Sequence, residues 1–111
     1  MDLLADLFGN PTREKVLLFM ENYGDGHATE IARTFRVSLN LVQNQLRRLE
    51  VAGVVVSQMK GKTRLFLWNP RYPFLPELRS LLRKALTFLP RKDKEAYFLQ
   101  RRRPRRTGKP L

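Results

Sequence analysis

Apolar residues recur every three or four positions along several segments of the chain, the spacing that places them on one face of an α-helix. Glycine, proline or a capping side chain stands at most boundaries of these segments, which favours helix ends there. The motif "GNP" ends the first segment, and "YGDG" ends the second and is expected to form a loop. The predicted helices cover residues 2–8, 11–22, a short stretch capped near Thr29, 38–52 and 76–89.

Two runs rich in β-forming residues follow the fourth helix and break the helical period. They cover residues 54–59 and 63–68, and the intervening Lys60-Gly61-Lys62 is typical of a hairpin with a basic tip. The predicted order is therefore α-α-α-α-β-β-α, a mainly α domain with a small β-hairpin. The tight turn "RVS" joins the third and fourth helices. A helix pair of this kind followed by a hairpin predicts a winged helix-turn-helix fold.

Composition and charge change abruptly near Pro90. Residues 91–111 carry nine Lys and Arg side chains against two acidic ones, a net charge of +7. Residues 1–90 carry thirteen against eight, a net charge of +5, so the chain has a formal charge of +12. We expect one folded domain over residues 1–90 and a basic, disordered tail over residues 91–111. Such a charge favours a polyanionic partner, either nucleic acid or an anionic membrane surface.

The predicted fourth helix, residues 38–52, has two contrasting faces. At ~100° per residue, Val42, Leu46 and Leu49 fall together on an apolar stripe. Amide side chains pair with adenine in the major groove and Arg pairs with guanine, and both also hold phosphates. A face that only meets solvent would more often mix in Glu and Lys, although this face alone fits both interpretations. The side opposite the stripe presents Asn40, Gln43, Asn44 and Arg47.

Two leucines interrupt the polar start of this helix. Leu39 is predicted to pack and Leu41 to flank the polar face, where it would alternatively touch a thymine methyl group. Ser38 is expected to cap the helix and, with Arg48 farther along it, to contribute to a DNA-binding surface. Gly53 is expected just past the helix end.

The predicted hairpin, residues 54–68, would form a basic wing beside that helix. Lys60, Lys62 and Arg64 lie around Gly61, and basic wing tips contact the DNA backbone or a neighbouring minor groove. Charged hairpin tips also serve solubility, so this signal alone is not specific. The combination of turn, polar helix face and basic hairpin favours binding to double-stranded DNA.

Several stretches resemble the ArsR-like winged-helix transcriptional regulators. The stretches are "LFGNPTREKVLLFM", "ATEIARTFRVSLNLVQNQLRRLEVAGVV", "GKTRLFLWNP" and "YPFLPELRSLLRKAL". The similarity covers about residues 4–89 and is greatest to the branch found beside, or fused to, nucleotidyltransferase domains. It departs from that family in two respects. The cysteine-bearing metal site of many relatives has no counterpart here, and Leu39 and Leu41 replace the small or polar residues usual at the start of the recognition helix.

The resemblance implies a homodimer, built from the first and last helices, that binds a two-fold operator. The apolar stripe of the last helix would also suit a simple core, but so short a chain offers it little to cover within one subunit. We therefore favour a dimer interface for the last helix, and the resemblance implies the same role for the first. The predicted interface residues are Leu3, Leu4, Leu7, Phe8, Leu78, Leu81, Leu82, Ala85, Phe88 and Leu89.

Other classes of function find little support in the sequence. The chain has no cysteine and a single histidine, His27, which we expect at the surface before the third helix. We see no phosphate-cradling glycine loop and no Ser/His/acid set, so we expect no enzyme activity, no cofactor and no metal site. The start, "MDLLADLFGN", lacks a basic region and a long apolar run, and no apolar run is long enough to span a bilayer. We therefore expect a cytoplasmic protein.

Two functional hypotheses follow. The first is a sequence-specific transcriptional regulator that binds double-stranded DNA as a homodimer, through the recognition helix 38–52 and the wing 54–68. The second is a winged-helix interaction module that serves a separately encoded nucleotidyltransferase. In the second case apolar Leu39, Leu41 and Leu67 and the apolar stripe of the last helix would contact a protein partner.

Overall fold

A computed structural model of the chain describes residues 1–100. The predicted basic tail lies in part beyond these, because residues 101–111 are outside the described region. The elements are α1 (Ala5–Phe8), α2 (Pro11–Tyr23), β1 (Asp25–His27), α3 (Ala28–Phe35), α4 (Leu39–Val51), β2 (Val55–Lys60), β3 (Thr63–Trp68), α5 (Leu75–Phe88), α6 (Arg91–Asp93) and a π-helical turn (Lys94–Phe98). This order confirms the predicted mainly α, winged helix-turn-helix fold.

The ends of α2 and α4 follow from local chemistry. The Asn10 side chain accepts hydrogen bonds from the backbone N–H groups of Thr12 and Arg13, which otherwise lack partners at a helix start. Gly53 follows α4 with a φ of 84°, a left-handed conformation that favours glycine. The end of α4 therefore lies where the sequence places it.

The turn between α3 and α4 depends on a strained residue. Arg36 has a φ of 57°, and its backbone N–H reaches back to the carbonyls of Ala32 and Arg33. Ser38 then precedes α4 in an extended conformation, but its side chain makes no capping hydrogen bond. The prediction that the Ser38 hydroxyl caps the recognition helix is therefore wrong, and this hydroxyl is exposed to solvent.

The sheet has one more strand than the sequence predicts. The segment expected to form only a loop contains β1, which pairs antiparallel with β3, so the strand order is β1-β3-β2. Gly26, in the centre of β1, lies against the Phe19 ring, where an added Cβ atom would stand 2.8 Å from Cε1. This close approach of the backbone to an aromatic ring favours glycine at the centre of β1.

The core is centred on α2. Val16, Leu17, Leu18, Phe19 and Met20 are consecutive and all buried, because α1, α3, α4, α5 and β1 pack around this helix. Burial on every side explains why the apolar run "VLLFM" has no polar face.

The last helix contributes more to this core than predicted. Leu82, Ala85 and Leu89 have 0%, 7% and 4% of their surfaces exposed, because α5 packs on α2 within the same chain. Their assignment to a dimer interface is wrong for that reason. The other predicted interface residues divide into exposed Leu3, Leu7, Leu81 and Phe88 and half-buried Leu4, Phe8 and Leu78.

Part of the predicted flexible tail packs on the domain. Residues 91–98 form α6 and the π-helical turn, and Phe98 is buried against Phe35, with ring centroids 5.9 Å apart. The Tyr23 hydroxyl donates a hydrogen bond to the Tyr97 carbonyl at 2.7 Å. These aromatic contacts extend the packed domain beyond the predicted boundary at residue 90, since "AYFL" supplies apolar groups within a basic segment.

A buried carboxylate ties the start of the chain to α2. Glu14 is fully buried, and one of its oxygens accepts a hydrogen bond from the Leu4 backbone N–H at 2.6 Å. The other oxygen has no hydrogen-bond partner. Burial raises the pKa of Glu14 above its ordinary value of 4.5, because the charged form is poorly solvated there.

No helix among the described residues combines the length and the apolar character needed to cross a bilayer.

The packing of Phe98 predicts that Phe98→Ala lowers the free energy of unfolding by about 3 kcal/mol, the usual cost of emptying a buried aromatic site. Urea unfolding measures this loss. The matched control is Leu99→Ala, since Leu99 is 72% exposed and its truncation should change stability by less than about 0.5 kcal/mol. Equal stability of the two variants would contradict the packing of residues 91–98.

The raised pKa of Glu14 predicts a pH-dependent penalty. A carboxyl group with a folded pKa above its unfolded value stabilises the fold at low pH, and that contribution is lost as pH rises through the folded pKa. Glu14→Gln lacks this ionisation. The difference in unfolding free energy, variant minus wild type, should therefore increase from pH 4 upward and then level off. A difference independent of pH would contradict the raised pKa.

Candidate nucleic-acid interface

The recognition helix α4 is held by a buried face that matches the prediction. Val42 and Leu46 are fully buried and Leu49 is 7% exposed. Gln45, which the sequence analysis missed, also points inward, and its side-chain oxygen accepts a hydrogen bond from Arg13 Nε at 2.8 Å. The Arg13 guanidinium also donates to the Phe8 carbonyl at 3.3 Å. A polar contact thus fixes α4 on α2 beside the apolar stripe.

All the residues predicted to contact DNA are exposed; they lie on α4, directly before it at Ser38, and on the hairpin. On the helix side, Arg47 Nη1 donates a hydrogen bond to the Asn44 side-chain oxygen at 3.2 Å, so these two groups form one pre-arranged pair. The exposed residues are Ser38, Asn40, Leu41, Gln43, Asn44, Arg47, Arg48, Lys60, Lys62 and Arg64.

The leucines at the start of α4 differ from expectation. Leu39, predicted to pack, is the first residue of α4 and is 41% exposed, so the prediction is wrong for much of this side chain. Leu41 is 51% exposed, consistent with its predicted place at the flank of the polar face. Two large apolar side chains therefore stand at the solvent-facing start of the helix.

The wing is a hairpin with a two-residue turn. Lys60 pairs with Thr63, and Gly61 has a φ of 63°, a left-handed conformation that suits glycine in such a turn. Lys60, Lys62 and Arg64 are all exposed at this tip, as the sequence predicts. The tip therefore presents concentrated positive charge.

A hydrogen-bonded relay joins the wing to the recognition helix. Ser57 Oγ on β2 donates to a Glu50 carboxylate oxygen on α4 at 2.6 Å and accepts from Arg64 Nη1 on β3 at 3.0 Å. The hydroxyl thus bridges an acid and a base that would otherwise move independently. This relay fixes the orientation of the Arg64 guanidinium relative to α4.

Between α3, α4 and the wing lies a groove of about 580 Å³. His27 closes one side, where its ring Nδ1 lies 3.0 Å from the Arg64 carbonyl. His27 is partly exposed directly before α3, and this contact links the end of β1 to the wing. The charged side chains that line the groove are Glu30, Arg33, Arg47, Glu50, Lys62 and Arg64.

The chemistry of this surface is that of hydrogen bonding and charge. Its amides both donate and accept, and its guanidinium and ammonium groups bind phosphate or guanine. Within residues 1–100, no three His, Asp or Glu side chains come together as metal ligands.

The fold resembles solved structures of bacterial proteins. The YusO protein from Bacillus subtilis aligns with a TM-score of 0.55 and 20% sequence identity, over 78% of this chain and 67% of that one. Transcriptional regulator Tm0710 from Thermotoga maritima aligns with a TM-score of 0.54 and 16% identity, over 84% of this chain and 65% of that one. The chain thus spans about two thirds of the length of each. No protein-family model matches the sequence, and a comparison with curated proteins gives no match. At such low identity the likeness establishes a common fold.

The Ser57 relay predicts energetic coupling between helix and wing. In a double-mutant cycle on the free energy of unfolding, Glu50→Ala and Ser57→Ala should couple by about 0.5–1 kcal/mol, because each removes the same hydrogen bond to a charged group. The control pairs Glu50→Ala with Gln58→Ala, whose effects should add. Additive effects in both cycles would argue that the relay does not hold the wing.

Proposed function

We propose that this chain is a sequence-specific transcriptional regulator that binds double-stranded DNA through α4 and the wing. One observation carries the proposal: the predicted DNA-contacting residues of α4 and the hairpin are all exposed on elements joined by the Ser57 relay. α4 fits the major groove by its residue types, and its N-terminal half is the part that reaches bases in helix-turn-helix proteins. The fold shared with Tm0710, which is described as a transcriptional regulator, supports the same function.

The roles divide between base reading and backbone contact. Asn40, Gln43 and Asn44 read base edges, and Arg47 reads guanine or holds a phosphate near them. Lys62 and Arg64 neutralise backbone phosphates from the wing. Ser38, Arg48 and Lys60 add contacts at the edges of this surface. We expect the protein to perform this function in the cytoplasm without a cofactor.

The proposed regulator acts as a homodimer. Four of the predicted interface residues have 36–68% of their surfaces exposed, which supports their role in contacts to a second copy. They are Leu3 before α1, Leu7 on α1, and Leu81 and Phe88 on α5. A dimer of this kind binds a pseudo-palindrome whose half-sites lie about 10–11 bp apart or a multiple of that. Membership of the ArsR-like family, and an association with a separately encoded nucleotidyltransferase, stay predictions of the sequence resemblance.

Selection of bound sites from random DNA, followed by fluorescence anisotropy, tests the function. We expect one enriched two-fold sequence. Gln43→Ala combined with Asn44→Ala should weaken binding to that sequence at least tenfold, since about 1–3 kcal/mol of discrimination comes from each good base contact. Binding to unrelated DNA should change little. Equal affinity for every sequence would contradict the proposal, and a single half-site would contradict the dimer.

The wing is tested separately by its salt dependence. Lys62→Ala should weaken binding to all sequences alike and reduce the slope of log affinity against log salt by about 1, because one phosphate contact is lost. Lys84→Ala removes the same charge from an exposed position on α5 and serves as the matched control. If both variants changed the slope equally, the effect would belong to net charge and not to the wing.

A further inference from the structure

Leu41 is exposed although it lies on a helix with a complete buried face. Val42, Leu46 and Leu49 already anchor α4, and Leu41 has 51% of its surface in solvent. A leucine side chain left in water forgoes the favourable burial of its apolar surface. This leucine, placed among amides and arginines, is therefore able to contact an apolar group that arrives from outside the chain.

The position of Leu41 on α4 indicates which apolar group outside the chain it contacts. Leu41 is the third residue of the helix and thus lies in the half that enters the major groove. At ~100° per residue it stands about 60° from Asn44 around the helix axis. Leu41 thus borders the face whose amides match adenine.

The partner must carry an apolar group beside hydrogen-bonding groups and negative charge. The major groove has one such group, the 5-methyl of thymine, which stands next to the adenine edge of the same base pair. The basic wing, with Lys60, Lys62 and Arg64 exposed, complements the phosphates around it.

We propose that Leu41 reads the 5-methyl group of a thymine in each half-site, so that it determines specificity for a T·A pair. This inference rests on the proposed function and specifies one base, thymine, and the group on it that is recognised, the 5-methyl. Asn44 lies next to Leu41 around the helix and pairs with the adenine of the same or the neighbouring base pair.

The experiment uses the full chain and the sequence selected from random DNA. Each thymine of one half-site is replaced in turn by deoxyuridine, which keeps every hydrogen-bonding group and removes only the methyl. For the wild type, one replacement should weaken binding about fourfold, the effect of one buried methyl-sized group. Leu41→Ala should bind the thymine and deoxyuridine sites equally. This substitution at an exposed helical position leaves the fold intact, since Ala is the stronger helix former.

Val51→Ala is the matched control, because Val51 is the last residue of the same helix and is 84% exposed. It should retain the fourfold effect of the methyl group.

The outcomes separate this inference from the function on which it rests. Loss of the methyl effect in Leu41→Ala, with its retention in Val51→Ala, supports the inference. If a selected sequence exists but no deoxyuridine effect depends on Leu41, the inference fails and the regulator function stands. Leu41→Ala that binds the thymine site as well as the wild type does would likewise overturn the inference, and would assign the leucine to a protein contact. If no sequence is enriched, the function and the inference fail together.

Discussion

The burial of α2 on all sides is the constraint on which the rest of the structure depends. Five consecutive residues from Val16 to Met20 are sequestered from water, so the remaining elements must surround this helix. α4 takes one side of it, and α5 takes another. Because α4 has to cover α2, its orientation is decided by the core, and the side chains opposite its apolar stripe face outward as a consequence. The candidate DNA-binding face therefore follows from packing inside the domain.

The helices were predictable because their periodicity and end signals are local. Asn10, Pro11 and Gly53 mark helix ends close to where the structure has them. The hairpin around Gly61 was predicted from the sequence as well. β1 was not, since its three residues gain their strand conformation from pairing with β3 far along the chain. The packing of Phe98 was not predicted, because the strongly basic composition of this segment suggested a solvated tail. In the structure two aromatic side chains of the segment, Tyr97 and Phe98, pack on the domain.

The sequence predicted which residues form the candidate site but not the hydrogen bonds between them. Wheel geometry placed Asn40, Asn44 and Arg47 outside, but only the three-dimensional structure connects Ser57 with Glu50 and Arg64. The helical periodicity of α5 also predicted too large an interface for a partner, because Leu82 and Ala85 are buried in the core of the same chain. Amphipathic patterns thus indicate which apolar residues are buried in a contact. Only the tertiary structure shows whether that contact lies within the same chain or is left for another.

Arg13 connects α1 to α4 through two hydrogen bonds made by one guanidinium group. Its guanidinium bonds both the Phe8 carbonyl at the end of α1 and the Gln45 side chain on α4. Groups that share one partner do not contribute independently, so changes in α1 and changes at Gln45 should be non-additive. A sequence drifting in evolution would then be free to alter one of these contacts only as far as the other tolerates. We therefore expect α1 and α4 to covary through their common partner, Arg13.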